Sequence, residues 1–393
     1  MLTELDERFV HQIARPIDQL TDSDPRFVDQ HWFQAMDMKG RFIVGANWPI
    51  WANNNVVETG QIIVHGDKQY NLRYHREWRQ QGYTSERLNL RVGPAFMEII
   101  EPLKKARFVL GPENEFGISY DLTMETRLRP VETRTPIYSR RNGLTNILPY
   151  FEMLGRWSGF LKVDGQTYEV DQENCWGQRD RCWASLGAER FQGWRPPIKP
   201  PSSRLHWHSH IQFEDMGFWW WLDEEVGHPR LNGTLADSRG GQFDGAITWR
   251  TGDPRQQIRL ADFKDYEIES QPGTTKFQSA RVTVVDENGK EYPLRFQILA
   301  PNATRHIKGE GYGDPEFLGA YHGDGYHRFD TYDLADYASY KDFAPAAWSG
   351  EHAVEARYGD RTGIGHMEMT GIGPLPRWGI PAATEARQSS MTG

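Results

Sequence analysis

The chain has 393 residues, 38% hydrophobic and 25% charged, which excludes a wholly disordered protein and predicts two domains. No window approaches the roughly 18 uninterrupted apolar residues of a membrane span, and residues 1–8 lack the apolar stretch of a secretory leader. A net charge of −9 without any Lys/Arg run speaks against nucleic acid as a partner, and two cysteines, Cys175 and Cys182, exclude a disulfide scaffold; a cytoplasmic protein is expected.

Residues 1–40 are the least strand-like part, with a short helix expected over Phe9 to Leu20, broken at Pro16. From Arg41 short runs of β-branched and aromatic residues alternate with Gly, Pro, Asn and Asp. Val56 to Val64 and Gln69 to Trp78 read as a hairpin, and Phe116 to Leu128 as a strand. Trp157 to Val163 and Gln166 to Val170 flank Asp164-Gly165, a dipeptide suited to a primed two-residue turn. Further pairs are Leu205 to Phe213 with Gly217 to Leu222, and Phe277 to Val285 with Glu291 to Leu299; Glu351 to Tyr358 and Gly365 to Thr370 close the series. Many short strands without a long amphipathic helix predict barrels or sandwiches. Four prolines between Pro196 and Pro201 cannot sit inside a sheet, so the expected domains are 1–195 and 196–393. The tail from Ala383 is small and polar and is expected to fray.

Fifteen Trp, 16 Tyr and 19 Phe predict aromatic-filled cores or a cavity walled by rings. No phosphate-binding glycine loop and no Gly-x-Ser-x-Gly elbow occurs. The densest set of candidate catalysts is Leu205-His-Trp-His-Ser-His-Ile-Gln-Phe213. On a strand His206, His208, His210 and Gln212 share one face, and Trp207, Ser209 and Ile211 the other. Three readings stay open: a metal held by His206, His208 and His210, an imidazole acid or base, or a polar surface strand. A second set places Asp180 between Arg179 and Arg181, with Trp176 and Trp183 nearby; flanking guanidiniums are expected to keep that carboxylate ionised. A third runs from Tyr321 and His322 through Asp324 and Tyr326 to Asp330, interleaved with glycine, and a fourth puts Glu368 on the strand face of His366.

The segment Trp157 to Val170, followed by Gly177-Gln-Arg-Asp-Arg-Cys-Trp183, resembles the hairpin and Gly-x-Arg-Asp-His-Ser-Trp-Gly signature of carotenoid hydratase/AttH-like proteins. That double-lipocalin-like superfamily also includes decalin-forming Diels–Alder cyclases. His210-Ile-Gln-Phe213, Tyr321-His-Gly, Gly365-His-Met-Glu368, Gly373-Pro374 and Gly379 are similar to its later segments, so the resemblance spans about residues 110–380. Arg181 stands where the pattern has His, which shifts the proton donor expected by resemblance to His208 or His210. The resemblance implies an all-β protein of two lipocalin-like antiparallel domains with few short helices. It also implies a ligand cavity, no organic cofactor, and additions or eliminations on bulky apolar molecules.

The expected activity is therefore that of a cofactor-independent lyase, hydratase or cyclase. Its substrate is expected to be a hydrophobic terpenoid, steroid or lignin-type phenylpropanoid dimer. His208 and His210 are the expected proton carriers, Tyr326 and Glu368 the complementary acid or base, and Asp180 an orienting group. Arg181, Trp183, Trp207, Trp219, Trp221, Tyr321 and His322 are expected to contact substrate, with alternation keeping Trp220 off the face of Trp219 and Trp221. A non-catalytic carrier and a metal enzyme are the alternatives; a homo-oligomer stays open.

Overall fold

The first half of the chain builds strands β1 (Phe27–Asp37), β2 (Phe42–Trp51), β3 (Val56–His65), β4 (Lys68–Glu77), β5 (Asn89–Val92), β6 (Ala95–Glu101) and β7 (Lys105–Leu110). It continues through β8 (Ser119–Thr126), β9 (Val131–Glu132), β10 (Ile137–Ser139), β11 (Asn146–Leu148), β12 (Tyr150–Val163), β13 (Gln166–Val170) and β14 (Cys175–Ser185). The second half adds β15 (Arg204–Gln212), β16 (Met216–Glu225), β17 (Gly241–Trp249), β18 (Ile258–Ser270), β19 (Phe277–Asp286) and β20 (Glu291–Ile298). After these come β21 (Thr304–Arg305), β22 (His327–Asp333), the helix α1 (Tyr337–Phe343), β23 (Ala347–Tyr358) and β24 (Arg361–Ile372). The structure, a computed structural model, describes residues 2–9, 24–25, 27–78, 89–133, 137–139, 146–148, 150–185, 203–225, 241–311 and 318–374. Most of the helix expected over Phe9 to Leu20, the proline-rich segment and the tail lie outside the described residues.

The protein is all-β, as the strand pattern and the resemblance imply. The strands form two antiparallel assemblies. One is an open half-barrel in the order β22-β4-β3-β2-β1-β14-β12-β8-β7-β6-β5. The other runs β20-β19-β18-β17-β16-β15-β24-β23 and closes into an eight-stranded barrel through β20–β23 pairing. Closure removes the free edges that an open sheet exposes. The Asp164-Gly165 turn has positive φ at both residues, 49° and 74°, as a type I′ hairpin requires. One strand crosses over: β22, from the second half of the sequence, pairs with β4 on the edge of the half-barrel.

Alternation sorts each strand into two faces. In the half-barrel Phe33, Ala35, Phe151, Met153 and Trp157 join Phe108 and Tyr120 in one core. In the barrel Trp207, Ile211, Phe218, Trp220, Phe263 and Phe296 form the other. The opposite faces of β12, β14 and β1 meet the opposite faces of β15, β24 and β23 in a seam between the two assemblies. There Gln212 donates to the Gly155 carbonyl at 3.0 Å, and Trp32 meets His366 with ring centroids 5.3 Å apart.

Trp207 therefore lies inside the barrel, stacked on Phe263 at 5.7 Å and edge-on to Trp220, away from the histidines of its own strand. Replacing it by Ala should destabilise the protein by about 3–5 kcal/mol through cavity formation. Denaturant unfolding checks this; a loss below about 1 kcal/mol would place the ring outside the core.

Candidate active site

The seam is polar because two adjacent strands on each side carry ionisable residues at matching register. On the barrel, His208 pairs across the strands with Trp221 of β16 and Glu368 of β24, and His210 with Trp219 and His366. His206 stands opposite Asp223. On the half-barrel, Glu152, Asp180 and Trp32 lie side by side in one row of β12, β14 and β1. Glu152, His208, His210 and His366 are all buried, and Asp180 is nearly so.

From Asp223 to His210 these groups alternate acid and base. Asp223 Oδ1 lies 3.0 Å from His206 Nδ1 and accepts from Arg204 at 2.7 Å. His206 Nε2 stands 3.5 Å from Glu368, and Glu368 3.6 Å from His208 Nδ1. His208 Nε2 is 3.2 Å from Glu152 Oε1, and the other Glu152 oxygen accepts from His210 Nε2 at 2.6 Å. His210 Nδ1 meets His366 Nδ1 at 3.0 Å; with His210 donating to Glu152, His366 donates here and keeps a bare Nε2. Beyond His366, Glu351 and Glu310 share the guanidinium of Arg305, which also lies 4.7 Å over the Trp32 ring. Access is graded along the series: the Glu368 and Asp223 side chains are 23% and 17% exposed, Glu152 and His210 fully covered.

Burial and charge push neighbouring groups in opposite directions. Burial alone would raise Glu152, but His210 and His208 hold it down at about 2. Burial would lower His208, yet its contacts with Glu152 and Glu368 raise it to about 10. His210 falls below its ordinary value through burial, with the charge of His208 adding to the effect. Asp180 rises well above the carboxylate range, through burial and then the adjacent Glu152 charge. At neutral pH the site thus holds an imidazolium at His208, a neutral imidazole at His210 and a carboxylate at Glu152, with the Asp180 carboxyl beside them holding its proton more tightly than an ordinary one. The Trp219 N–H lies 3.0 Å from His208 Nε2 and 3.2 Å from Glu152 Oε1. With His208 charged, its Nε2–H and the Trp219 N–H both point at Glu152 Oε1, which Trp219 helps to satisfy.

Of the residues expected from sequence, His208, His210, Asp180, Glu368, Trp219 and Trp221 come together here, and Tyr150 completes the rim, its ring 5.6 Å from Trp221. Arg181 and Trp183 do not. Consecutive strand residues face opposite ways, so Arg179 and Arg181 enter the half-barrel and pair with Glu7 and Asp29, while Trp183 packs against that core. The ionised Asp180 inferred from its flanking arginines is overturned for the same reason: the guanidiniums sit behind the sheet. Tyr326 and His322 stack on each other at 4.5 Å and Tyr321 donates to Glu77, a separate cluster at the end of β4, three strands from β1. Glu152, Glu351 and Arg305 were missed. Only Glu152 left a trace, as a lone acid in the apolar run Tyr150-Phe-Glu-Met-Leu154.

A family model matches residues 2–381. The chain belongs to DUF8625, a family of unknown function. No curated protein matches it in sequence. Among solved structures it is similar to kievitone hydratase from Nectria haematococca, at 11% identity over 87% of this chain and 88% of that one, with a TM-score of 0.43. It is also similar to CghA with Sch210972, at 11% identity, 89% of both chains and a TM-score of 0.47. CghA alone gives 10%, 89% and 90%, and 0.46. No helix among the described residues is long and apolar enough to cross a membrane.

The opposed displacements fix how stability should depend on pH. His208, raised above its ordinary 6.5, contributes stability below that pH and loses it as pH climbs through about 10. Glu152, lowered to about 2, contributes above its ordinary 4.5 and loses it as pH falls through about 2. Asp180 is displaced upward, so its burial costs stability once pH exceeds its ordinary 3.8. Asp180→Asn should therefore gain stability relative to wild type between pH 4 and pH 8. Glu152→Gln, which takes the shared carboxylate away from His208 and His210, should lose about 3–5 kcal/mol near neutrality. Urea titrations across this range test both signs.

Proposed function

We propose that the protein is an acid–base enzyme of the lyase, hydratase or cyclase type, working without metal or organic cofactor on a small molecule held beside Glu368, Trp221 and Tyr150. The observation that carries this reading is the row of His208, Glu152 and Asp180, where neighbouring ionisable groups are driven apart in proton affinity. Such divergence is how one site keeps an acid and a base ready at the same pH. The 3.6 Å separation of Glu368 from His208 Nδ1 exceeds a hydrogen bond, which leaves a substrate oxygen able to engage the imidazolium.

For a dehydration, Glu368 takes the proton beside the scissile C–O bond. The C–H electron pair becomes the new double bond, and the C–O pair leaves with the oxygen. His208 protonates that oxygen from Nδ1, and water departs. Glu368 then returns its proton to His208, restoring both groups. Glu152 and Trp219 steady the charge on the imidazole, and Asp180 offers a neutral O–H. Hydration is the reverse sequence.

Glu368→Gln and His208→Gln should each lower turnover about 10²–10⁴-fold in a screen of terpenoid, steroid and lignin-type hydroxy compounds. Wild-type kcat should fall at high pH with an apparent pKa near 10, matching the loss of the His208 proton. A carrier would keep its ligand affinity in both variants and show no turnover to lose; that result sinks the enzyme reading.

Convergent donors favour a second reading, a divalent cation. One atom each of Glu152, His208 and His210 lies within 4.8 Å of the others, a different set from the His206, His208 and His210 expected from sequence. The Trp219 N–H points at two of those atoms and an ion would have to displace it. Elemental analysis decides: the acid–base reading expects full activity in metal-free protein, and a stoichiometric metal whose chelation abolishes turnover would replace it.

A further inference from the structure

The seam holds more hydrogen-bonding capacity than the protein itself uses. Next to the Glu152–Asp180–Trp32 row runs a second, Leu154–Gln178–Gln34, on the same faces of β12, β14 and β1. Gln34 and Gln178 are fully buried, His366 and Asp180 nearly so. Yet both polar atoms of Gln178, Nε2 of Gln34, Oδ1 of Asp180 and Nε2 of His366 lack a hydrogen-bond partner among the described residues. Buried polar groups are ordinarily paired, and the exceptions call for a cause. Other unpaired buried atoms lie elsewhere in the half-barrel sheet, at Asn47, Trp48 and His75; those at the seam fall on facing surfaces, since Asp180 neighbours Trp32 in register and Trp32 packs on His366.

The chemistry of the unpaired atoms selects what would satisfy them. Two amide nitrogens donate, the Gln178 carbonyl and the bare His366 nitrogen accept, and the Asp180 carboxyl can do either. A hydrocarbon would leave all of them unmet. An anion would face Glu152, Glu351 and Glu368. An ammonium would find the other carboxylates already matched, Glu152 and Glu368 by histidines and Glu310 and Glu351 by Arg305. Hydroxyl groups, each donor and acceptor at once, fit the mixture. We infer that the seam binds a neutral, polyhydroxylated small molecule, with Gln178, Gln34 and Asp180 engaging its hydroxyls and the Tyr150–Trp221 rim covering an apolar ring. This names the substrate class of the proposed acid–base site and rests on that reading only for its location.

The test uses the full chain and reads binding and stability, so it stands apart from turnover. The probes are phenyl β-D-glucopyranoside and 2-methyl-6-phenoxytetrahydropyran, the same skeleton with and without hydroxyls, titrated by calorimetry. The glucoside should bind at least about tenfold tighter, and Gln178→Met should erase that preference. The same variant, without ligand, should melt at or above the wild-type temperature, because an unpaired buried amide has given way to an apolar chain of similar size. Equal or tighter binding of the hydroxyl-free ether, no binding of the glucoside, or a preference unchanged in the variant overturns the inference. So does a clear fall in Tm, which would mean that Gln178 serves the fold.

Discussion

A carboxylate sealed from water between two imidazoles is the constraint around which the protein is organised. Taking Glu152 out of solvent is costly unless cations and hydrogen bonds replace the lost hydration. His208 and His210 supply them, from a different assembly than the one that carries Glu152. The ion pair therefore ties the half-barrel to the barrel, and its charge spreads outward. It lifts His208 and adds to the burial that raises Asp180, while His210, which the same carboxylate also pulls upward, is kept below its ordinary value by burial and by the charge of His208. One buried charge thus acts on the proton affinity of three neighbours.

Two greasy cores with a polar seam divide the work between stability and chemistry. Trp207, Trp220 and Phe263 fill the barrel and Phe33, Phe108 and Trp157 the half-barrel, while Met36, Ile43, Ile62, Val64 and Trp176 of the first assembly join the barrel's cluster and carry apolar burial between the two beside the polar groups. The seam can then carry ionisable and unpaired polar groups that would weaken a core. β22 adds a strand from the second half of the chain to the first sheet, so the sequence halves are interlocked as well as apposed.

Much of the fold was legible because strand periodicity and turn chemistry are local. The Asp164-Gly165 hairpin, the His208 strand and the Glu291 strand follow from residues within a few positions of one another. β1 was not legible: its face in the seam carries Gln30, Trp32 and Gln34, polar positions that blur the alternation of a half-buried strand. Within the site, His208, His210 and Glu368 stood out as polar residues on a shared strand face. Glu152 and Arg305 did not, since their importance comes from strands and segments far away in sequence. Reading Asp180 through its neighbours in the chain failed on geometry, as adjacency along a strand sends side chains to opposite sides.

The central claim concerns where protons sit, and imidazole nitrogen-15 NMR of specifically assigned histidines reads that directly. At pH 7 His208 should carry protons on both nitrogens and keep them until about pH 10, while His210 stays neutral with its proton on Nε2. A neutral His208 at pH 7, or a His210 that charges in its place, would contradict the account.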